Sequence, residues 1–287
     1  MSIRLGALCL FENPSREAGR ALVRQFVLAR EADRMGYDDI WLAERHGDVR
    51  RPSAAITALL GHLAGVTSKA RIGAIVQPVE RNTSQLLEDL STIELLSRGR
   101  LALAVDATGA EGAAAVGTLA GLRGALADGD SPELVPRPSG KRLPSWVVAD
   151  CVAAVERAAA ADLGLWLPEW MAPAAMERLL GAYRAAAPER VDPRPLLTRH
   201  ACSATSREAA MAIARPFLEE LLGVALAESA LAQSLVGSHE EVAQQILHLQ
   251  SALGLEEMVI VPMSAHFDTA KHILADMVDE VRPLLGD

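Results

Sequence analysis

The chain has 287 residues, of which 50% are hydrophobic and 23% charged, a composition typical of a globular protein with a large buried core. Its 28 basic and 37 acidic residues give a net charge of −9, and the basic residues form no stripe, which argues against nucleic acid and anionic membranes as partners. No apolar run approaches the roughly 18 residues of a membrane span, and residues 1–10 lack a secretory signal pattern, so we expect a cytoplasmic protein.

Short apolar segments alternate with amphipathic helical segments along the chain. This alternation predicts a parallel sheet with helical crossovers, and segments that are apolar on both faces suit strands covered on both sides. Eight such strands are predicted: Ile3 to Phe11, Asp39 to Ala43, Arg71 to Val76, Leu101 to Val105, Ser145 to Ala149, Leu163 to Leu167, Pro195 to Ser203 and Glu257 to Pro262. The sequence therefore predicts one α/β domain over residues 1–287, a (β/α)₈ barrel, since such barrels run to about 250 residues.

The helical segments carry start and stop signals. Gly36 is predicted to end the first helix and Ser53 to cap the second. A third helix is predicted from Ser84 to Leu96, before a turn that leads into the fourth strand. Ser238 and Glu241 have the spacing of a capping box and predict the start of a late helix.

Two stretches of the sequence are less regular. The stretch from Gly109 to Leu143 is rich in Ala and Gly and then in Pro, which predicts a poorly packed helix followed by a surface loop. The stretch from Ser206 to Gln250 is long enough for two helices after the seventh strand. No tandem repeat or linker divides the chain.

Several motifs, in order along the chain, together resemble the bacterial luciferase-like flavin and deazaflavin oxidoreductases. They are Gly36-Tyr37-Asp38, Trp41, Glu44-Arg45-His46, Leu96 to Arg100, and the stretch from Leu235 to Pro262. The resemblance covers most of the chain and implies a luciferase-like barrel with shortened loops and an active site at the carboxyl ends of the strands.

The tripeptide Glu44-Arg45-His46 carries the expected catalytic group. In the family this position supplies an imidazole near the reactive edge of the flavin ring, and histidine suits the task because such side chains exchange protons near neutral pH. Arg45 replaces the first histidine of the usual motif, so the resemblance gives His46 the proton-transfer role, with Glu44 orienting it and Arg45 stabilising an anion. The alternative is a structural ion pair between Glu44 and Arg45, with His46 packed at the rim.

The resemblance also places a cofactor site, but its phosphate-binding part is altered. Gly73 and Ala74 correspond to the strand behind the flavin ring, although barrel packing explains small residues equally well. The family's phosphate-binding arginine and hydroxyl residues are replaced, and the corresponding positions are Asp106, Thr108, Asp150 and Cys151.

An aspartate about 4 Å from a phosphate costs on the order of 4 kcal/mol at an effective dielectric near 20, or roughly a thousandfold in affinity. Thr108, Lys141, Arg142 or Arg199 are candidates to compensate for it. The alternative is that Asp106 and Asp150 merely face solvent.

The resemblance implies a monooxygenase that oxidises a small organic substrate, with reduced FMN supplied by a partner reductase, and the Glu44-Arg45-His46 form of the motif suggests natural-product biosynthesis. Deazaflavin-dependent hydride transfer is a second interpretation. A third is a repurposed barrel that binds no flavin and acts as a non-redox catalyst or a non-catalytic subunit. A homodimer is expected from the family. No cluster with metal-ligand spacing is present, and Cys9, Cys151 and Cys202 are too widely spaced for a disulfide framework.

Overall fold

The computed structural model describes residues 3–13, 16–77, 82–109, 112–129, 134–187 and 195–286. Within these ranges nine strands form one parallel sheet in the order β6-β5-β4-β3-β2-β1-β9-β7-β8, and β6 also pairs with β7. The strands are β1 (Arg4–Cys9), β2 (Asp39–Ala43), β3 (Arg71–Val76), β4 (Leu101–Asp106), β5 (Ser145–Val148), β6 (Gly164–Leu167), β7 (Leu196–Ala204), β8 (Leu235–Ser238) and β9 (Glu257–Pro262).

Eight of these strands close into a (β/α)₈ barrel, which confirms the predicted fold. The exception is β8, which pairs only with Ala201–Ala204 at the end of β7. The strand β8 was not predicted, because its four residues run directly into the cap of the following helix and so short a segment has no periodicity to detect.

Ten α-helices are described. They are α1 (Ala18–Met35), α2 (Ile56–Val66), α3 (Thr83–Leu96), α4 (Ala113–Ala127), α5 (Val152–Ala160), α6 (Pro173–Ala186), α7 (Arg207–Leu222), α8 (Val224–Ala232), α9 (His239–Leu253) and α10 (Phe267–Asp276). A π-helical turn, Met277–Val281, and a 3-10 turn, Arg282–Leu285, follow α10. No helix of the described ranges is both long and apolar enough to cross a bilayer.

The helix boundaries test the predicted caps. Gly36 ends α1 with a left-handed φ of 92°, as predicted. Ser238 and Glu241 form the predicted capping box at the start of α9. The prediction for Ser53 is wrong, because its hydroxyl donates to the carbonyl oxygen of Ala43 at 2.7 Å and α2 begins only at Ile56. Ser53 thus anchors the loop after β2 to the strand.

Two further expectations about the helices are corrected. The helix α4 is well packed, since Leu119, Leu122 and Leu126 are almost fully buried against the barrel. Small Ala and Gly residues on its outer face had hidden this leucine stripe. After β7 the chain forms three helices and β8, where two helices had been predicted.

Buried charges close the amino-terminal end of the barrel. Arg71 contacts both Asp39 and Glu257, and Arg4 contacts Asp39 at 3.3 Å. Burial first, and then the neighbouring charge of Asp39, raise the pKa of Glu257 to about 8. Because active sites of barrels lie at the opposite end, this cluster is assigned to the support of the fold.

Candidate active site

Three tryptophans fill the barrel interior below its carboxyl end. Trp41, Trp146 and Trp166 are fully buried, and the Trp41 ring meets the other two edge-to-face, with ring centroids 5.4 and 4.7 Å apart. The indole nitrogen of Trp166 donates to the hydroxyl of Thr198 at 2.7 Å. The rings make the lower interior a packed core, so a ligand site in the barrel must lie above them.

The residues Glu44 and His46 are brought together just beyond the end of β2. Glu44 is fully buried, and its Oε2 accepts the amide hydrogen of Gln77 at 2.6 Å. Its Oε1 lies 2.8 Å from Nε2 of His46, whose side chain is about half exposed. The buried carboxylate is therefore fixed between a backbone donor and an imidazole that reaches solvent.

The side chain of Arg45 extends away from Glu44 and His46 toward the end of β4. Its Nη1 lies 3.3 Å from Oδ2 of Asp106 at the end of β4, and it also donates to the carbonyl oxygen of Glu44 at 3.3 Å. The expected alternative, an ion pair between Arg45 and Glu44, does not form, because the carboxylate of Glu44 is held by its other partners and Arg45 pairs with Asp106. Arg45 and Asp106 together narrow the mouth.

The acidic residues expected at the phosphate position bind backbone amides of the chain itself. Oδ1 of Asp106 accepts from the amide of Thr108 at 3.1 Å and from its hydroxyl at 2.6 Å. Oδ1 of Asp150 accepts from the amide of Gly109 at 3.2 Å. Two amides of the loop after β4, which are donors suited to an anion, are thus already occupied by carboxylates.

The remaining residues predicted to bind the cofactor, Gly73, Ala74 and Cys151, lie in different parts of the barrel. A Cβ atom on Gly73 would lie only 2.3 Å from the Trp41 ring, so this glycine leaves room for a ring of the protein itself. Ala74 belongs to the core layer between strands and helices. Cys151 is half-buried at the start of α5, with no capping hydrogen bond. As cofactor contacts, all three stay predictions.

None of the three cations considered as replacements for the missing arginine reaches the mouth. Lys141 lies beside Gly99, and Arg142 pairs with Asp162, both next to the amino-terminal ends of strands. Arg199 follows Thr198 in β7 and leaves the strand on its outer face. Thr198 faces the mouth instead. This residue was not predicted as part of the site, because the pairing of a strand with its neighbours decides which of its residues point inward.

A small cavity of about 220 Å³ lies above the tryptophans. Its walls include Arg45, Asp106, Thr108, Trp170 and Thr198. A second cavity, of about 450 Å³, adjoins it at Trp170 and extends beneath the loops after β1 and β2.

Two titratable residues with little solvent exposure lie near this second cavity. Burial raises the pKa of Glu12 to about 7 against the opposing charge of Arg51, 3.9 Å away. Burial, with Arg51 and Arg199 contributing, lowers the pKa of His200 to about 3, and its ring stacks on Trp170 at 4.5 Å. His200 is therefore neutral, and Glu12 exchanges its proton near neutral pH.

These features do not fit the phosphate of a flavin mononucleotide. Cofactor pockets usually measure about 300–1,000 Å³, more than the mouth cavity offers. Arg45, a cation in the wall of this cavity, is paired with Asp106, and the two loop amides are occupied. The aspartates do more than face solvent, which corrects that alternative. Among the described residues no group of three or more metal-ligating side chains is present either.

The comparison with known families confirms the resemblance seen in the sequence. Residues 3–117 match the family model of the luciferase-like monooxygenases. This segment contains β1 to β4, the Glu44–His46 pair and Asp106.

Two curated relatives share parts of the chain. The uncharacterized protein YvbT of Bacillus subtilis is 40% identical over 78 residues, which are 26% of this chain and 23% of that protein. The luciferase-like monooxygenase of Escherichia coli K12 is 27% identical over 188 residues, 58% of this chain and 55% of that protein. The chain thus aligns with about half or less of the length of these relatives.

Solved structures with the same fold match almost the whole chain at low identity. Monooxygenase RslO1 from Streptomyces bottropensis has a TM-score of 0.81 at 18% identity, covering 98% of this chain and 99% of that one. The oxygenating constituent of a Pseudomonas putida 3,6-diketocamphane monooxygenase, in complex with FMN, has a TM-score of 0.79 at 15% identity, covering 99% of each chain. An F420-dependent secondary alcohol dehydrogenase has a TM-score of 0.72 at 16% identity, covering 100% of each chain. At these identities the likeness establishes the fold.

Proposed function

We propose that this chain, which matches the luciferase-like monooxygenases over residues 3–117, is an oxidoreductase in which His46 transfers a proton at the barrel mouth to or from a small organic substrate. The observation that carries the proposal is the 2.8 Å contact between Oε1 of Glu44 and Nε2 of His46. It sits at the carboxyl end of a barrel strand, where enzymes of this architecture place their chemistry.

We assign separate roles to Glu44 and His46, and their geometry supports this assignment. The carboxylate of Glu44 is an acceptor, so the neutral imidazole carries its hydrogen on Nε2 and presents the lone pair of Nδ1 as the base. When Nδ1 takes a proton, the adjacent carboxylate stabilises the imidazolium, as the buried aspartate of a catalytic triad does. Glu44 is thus a positioning residue and His46 the catalytic one.

The source of electrons in this proposal is reduced FMN, delivered by a separate flavin reductase. It would supply the two electrons that activate dioxygen. Because the mouth does not fit the phosphate, we propose that FMN is a diffusible co-substrate rather than a resident cofactor. The FMN complex of a protein with the same fold supports the choice of FMN, and the F420-dependent relative keeps hydride transfer with a deazaflavin as the alternative.

A second candidate function is favoured by the occupied amides of Thr108 and Gly109. A barrel in which carboxylates of the chain replace the phosphate is suited to work without flavin, as a non-redox catalyst or as a non-catalytic subunit. The homodimer, the reductase partner and the cytoplasmic location stay predictions.

Anaerobic fluorescence titration distinguishes these possibilities. The protein is titrated in parallel with reduced FMN, reduced riboflavin and reduced coenzyme F420. If the phosphate is not recognised, FMN and riboflavin bind with affinities that agree within about threefold, since a charge-assisted phosphate contact is worth about tenfold or more. A larger preference for FMN contradicts the absence of a phosphate site. Binding of F420 alone supports hydride transfer, and binding of none of the three supports the barrel without flavin.

The catalytic role of His46 is tested by comparing His46→Ala with His272→Ala, which removes an exposed histidine from α10. The rate of dioxygen consumption with reduced FMN is measured against the uncatalysed rate, and circular dichroism checks the fold. We expect His46→Ala to lower the enzymatic rate by about 100-fold or more, the usual size of a general acid–base contribution, and His272→Ala to leave it unchanged. Wild-type rates in His46→Ala would refute the assignment.

A further inference from the structure

Arg199 is a buried cation that forms no ion pair among the described residues. It is 3% exposed in the middle of β7, and the charge of Glu169 acts on it without a contact within 4 Å. Its hydrogen bonds go to neutral acceptors: the carbonyl oxygens of Thr198 at 3.1 Å and Met171 at 3.3 Å, and the sulfur of Met176 at 3.1 Å. Burial lowers its pKa to about 10, so the side chain remains protonated at neutral pH. A buried charge of this kind is normally paired.

Arg199 lines a cavity of about 660 Å³ on the outer side of the barrel wall, between α6, α7, α8 and α9. This volume lies within the usual range for small-molecule sites. The cavity is separate from the mouth, because Thr198 and Arg199 are neighbours in β7 and face opposite sides of the strand.

The cavity walls combine apolar surface with unsatisfied hydrogen-bond acceptors. Met176, Met211 and Leu249 contribute apolar surface. Two glutamines also line the cavity, and the side-chain oxygens of both, Oε1 of Gln233 and Oε1 of Gln245, are buried without a hydrogen-bond partner. Such groups are costly unless something donates to them.

The two other arginines of the wall are each paired with a carboxylate. Arg215 is paired with Glu228, and Arg207 lies 3.7 Å from Glu241. Glu177 is the remaining acidic residue of the wall. Arg199 is the most deeply buried of these cations, so an anion bound there would have the most desolvated contact.

We propose that this outer cavity binds an amphipathic carboxylic acid that also carries a hydroxyl or amide donor. Its carboxylate pairs with Arg199, its apolar body packs on the methionine and leucine side chains, and its donor reaches Gln233 or Gln245. The proposal is independent of the chemistry at the mouth and concerns a second site in the molecule.

Trp170, next to a hydrogen-bond acceptor of Arg199, offers a fluorescence signal for binding in the cavity. Arg199 donates to the carbonyl oxygen of Met171, and the preceding residue, Trp170, is half-buried against His200 with a positive φ of 56°. An anion that draws the guanidinium away from this carbonyl changes the surroundings of the Trp170 ring. Binding is therefore expected to change the tryptophan fluorescence, and Trp170→Phe is expected to remove that change.

The test uses straight-chain carboxylic acids of six to about twelve carbons as probes, with the matching primary alcohols and hydroxy acids. Calorimetry and fluorescence measure their affinity for the wild-type protein. We expect each acid to bind about tenfold or more tightly than its alcohol, because a buried ionic hydrogen bond is worth that much, and the best hydroxy acid to exceed its parent acid. Equal affinities of acids and alcohols would overturn the proposal.

Two variants and a control locate the site. Arg199→Met keeps the apolar packing and should abolish the preference for acids, whereas Arg20→Met, an exposed arginine of α1, should keep it. Met211→Trp leaves Arg199 in place and should block binding by filling the cavity, which covers the case in which Arg199→Met does not fold. Acid binding that survives in Met211→Trp would show that the probes bind elsewhere and would reject the cavity.

Discussion

Gly73 is the position where one added methyl group should most clearly test the packing of the barrel interior. In Gly73→Ala the new Cβ would lie 2.3, 2.4 and 2.8 Å from three carbons of the Trp41 ring, whereas carbon atoms pack at about 3.5–4.0 Å. The ring must therefore move by about 1 Å or more. The Trp41 ring has little room to move, because the rings of Trp146 and Trp166 pack edge-to-face against it, with centroids 5.4 and 4.7 Å away.

The expected loss of stability follows from these contacts. Overpacking of a core costs about 1–3 kcal/mol, and disturbing two aromatic contacts adds about 0.5–1.5 kcal/mol each. The lower backbone entropy of alanine returns at most about 1 kcal/mol. We expect a net loss of about 3 kcal/mol, which lowers Tm by roughly 5 °C in a chain of this size.

Thermal unfolding followed by near-UV circular dichroism measures the effect. The matched control is Gly61→Ala in α2, where an added Cβ meets nothing within 4 Å, and helix propensity should raise stability by about 0.5–1 kcal/mol. In a double-mutant cycle, Trp41→Leu should relieve most of the cost of Gly73→Ala. If Gly73→Ala melts at or above the wild-type temperature, this description of the interior is wrong.

Two further predictions concern a buried acid and a helix cap. Since burial raises the pKa of Glu12 to about 7, above its unfolded value, the folded protein holds this proton more tightly and loses the associated stability as the pH rises from about 4.5 to 7. Glu12→Gln should gain stability relative to wild type over that range, on the order of 2–3 kcal/mol by urea unfolding at pH 5 and pH 8, and a difference independent of pH would contradict it. Ser238→Ala removes the capping box of α9 and should cost about 1 kcal/mol, while Ser251→Ala on the exposed face of the same helix should cost far less, and equal losses would show that the cap is not needed.

Local signals in the sequence located most elements of the barrel. Runs that are apolar on both faces placed the eight barrel strands to within about two residues, because such runs are typical of strands buried on both sides. The caps at Gly36 and Ser238 were predictable since they depend on the residues next to them. Ser53 was misassigned because its hydroxyl binds a strand ten residues away.

The candidate site shows the same division. The order of the motifs was enough to place Glu44 and His46 at the carboxyl end of β2 and Asp106 at the end of β4. The sequence did not show that Asp106 pairs with Arg45, a residue 61 positions away, or that Asp150 binds the amide of Gly109. Contacts of this range depend on which strands are neighbours, and no local pattern records that.

The sequence by itself determined the architecture and the placement of Glu44 and His46 at the end of β2, because both follow from the residues in single strands and turns. Tertiary structure alone decided which side chains fill the barrel interior and which line its cavities. Pairing of β7 with its neighbours turns Thr198 toward the mouth and Arg199 toward the outer cavity, and three tryptophans from different strands fill the interior. Side chains alternate along a strand, so the direction of each is fixed only when the sheet is assembled.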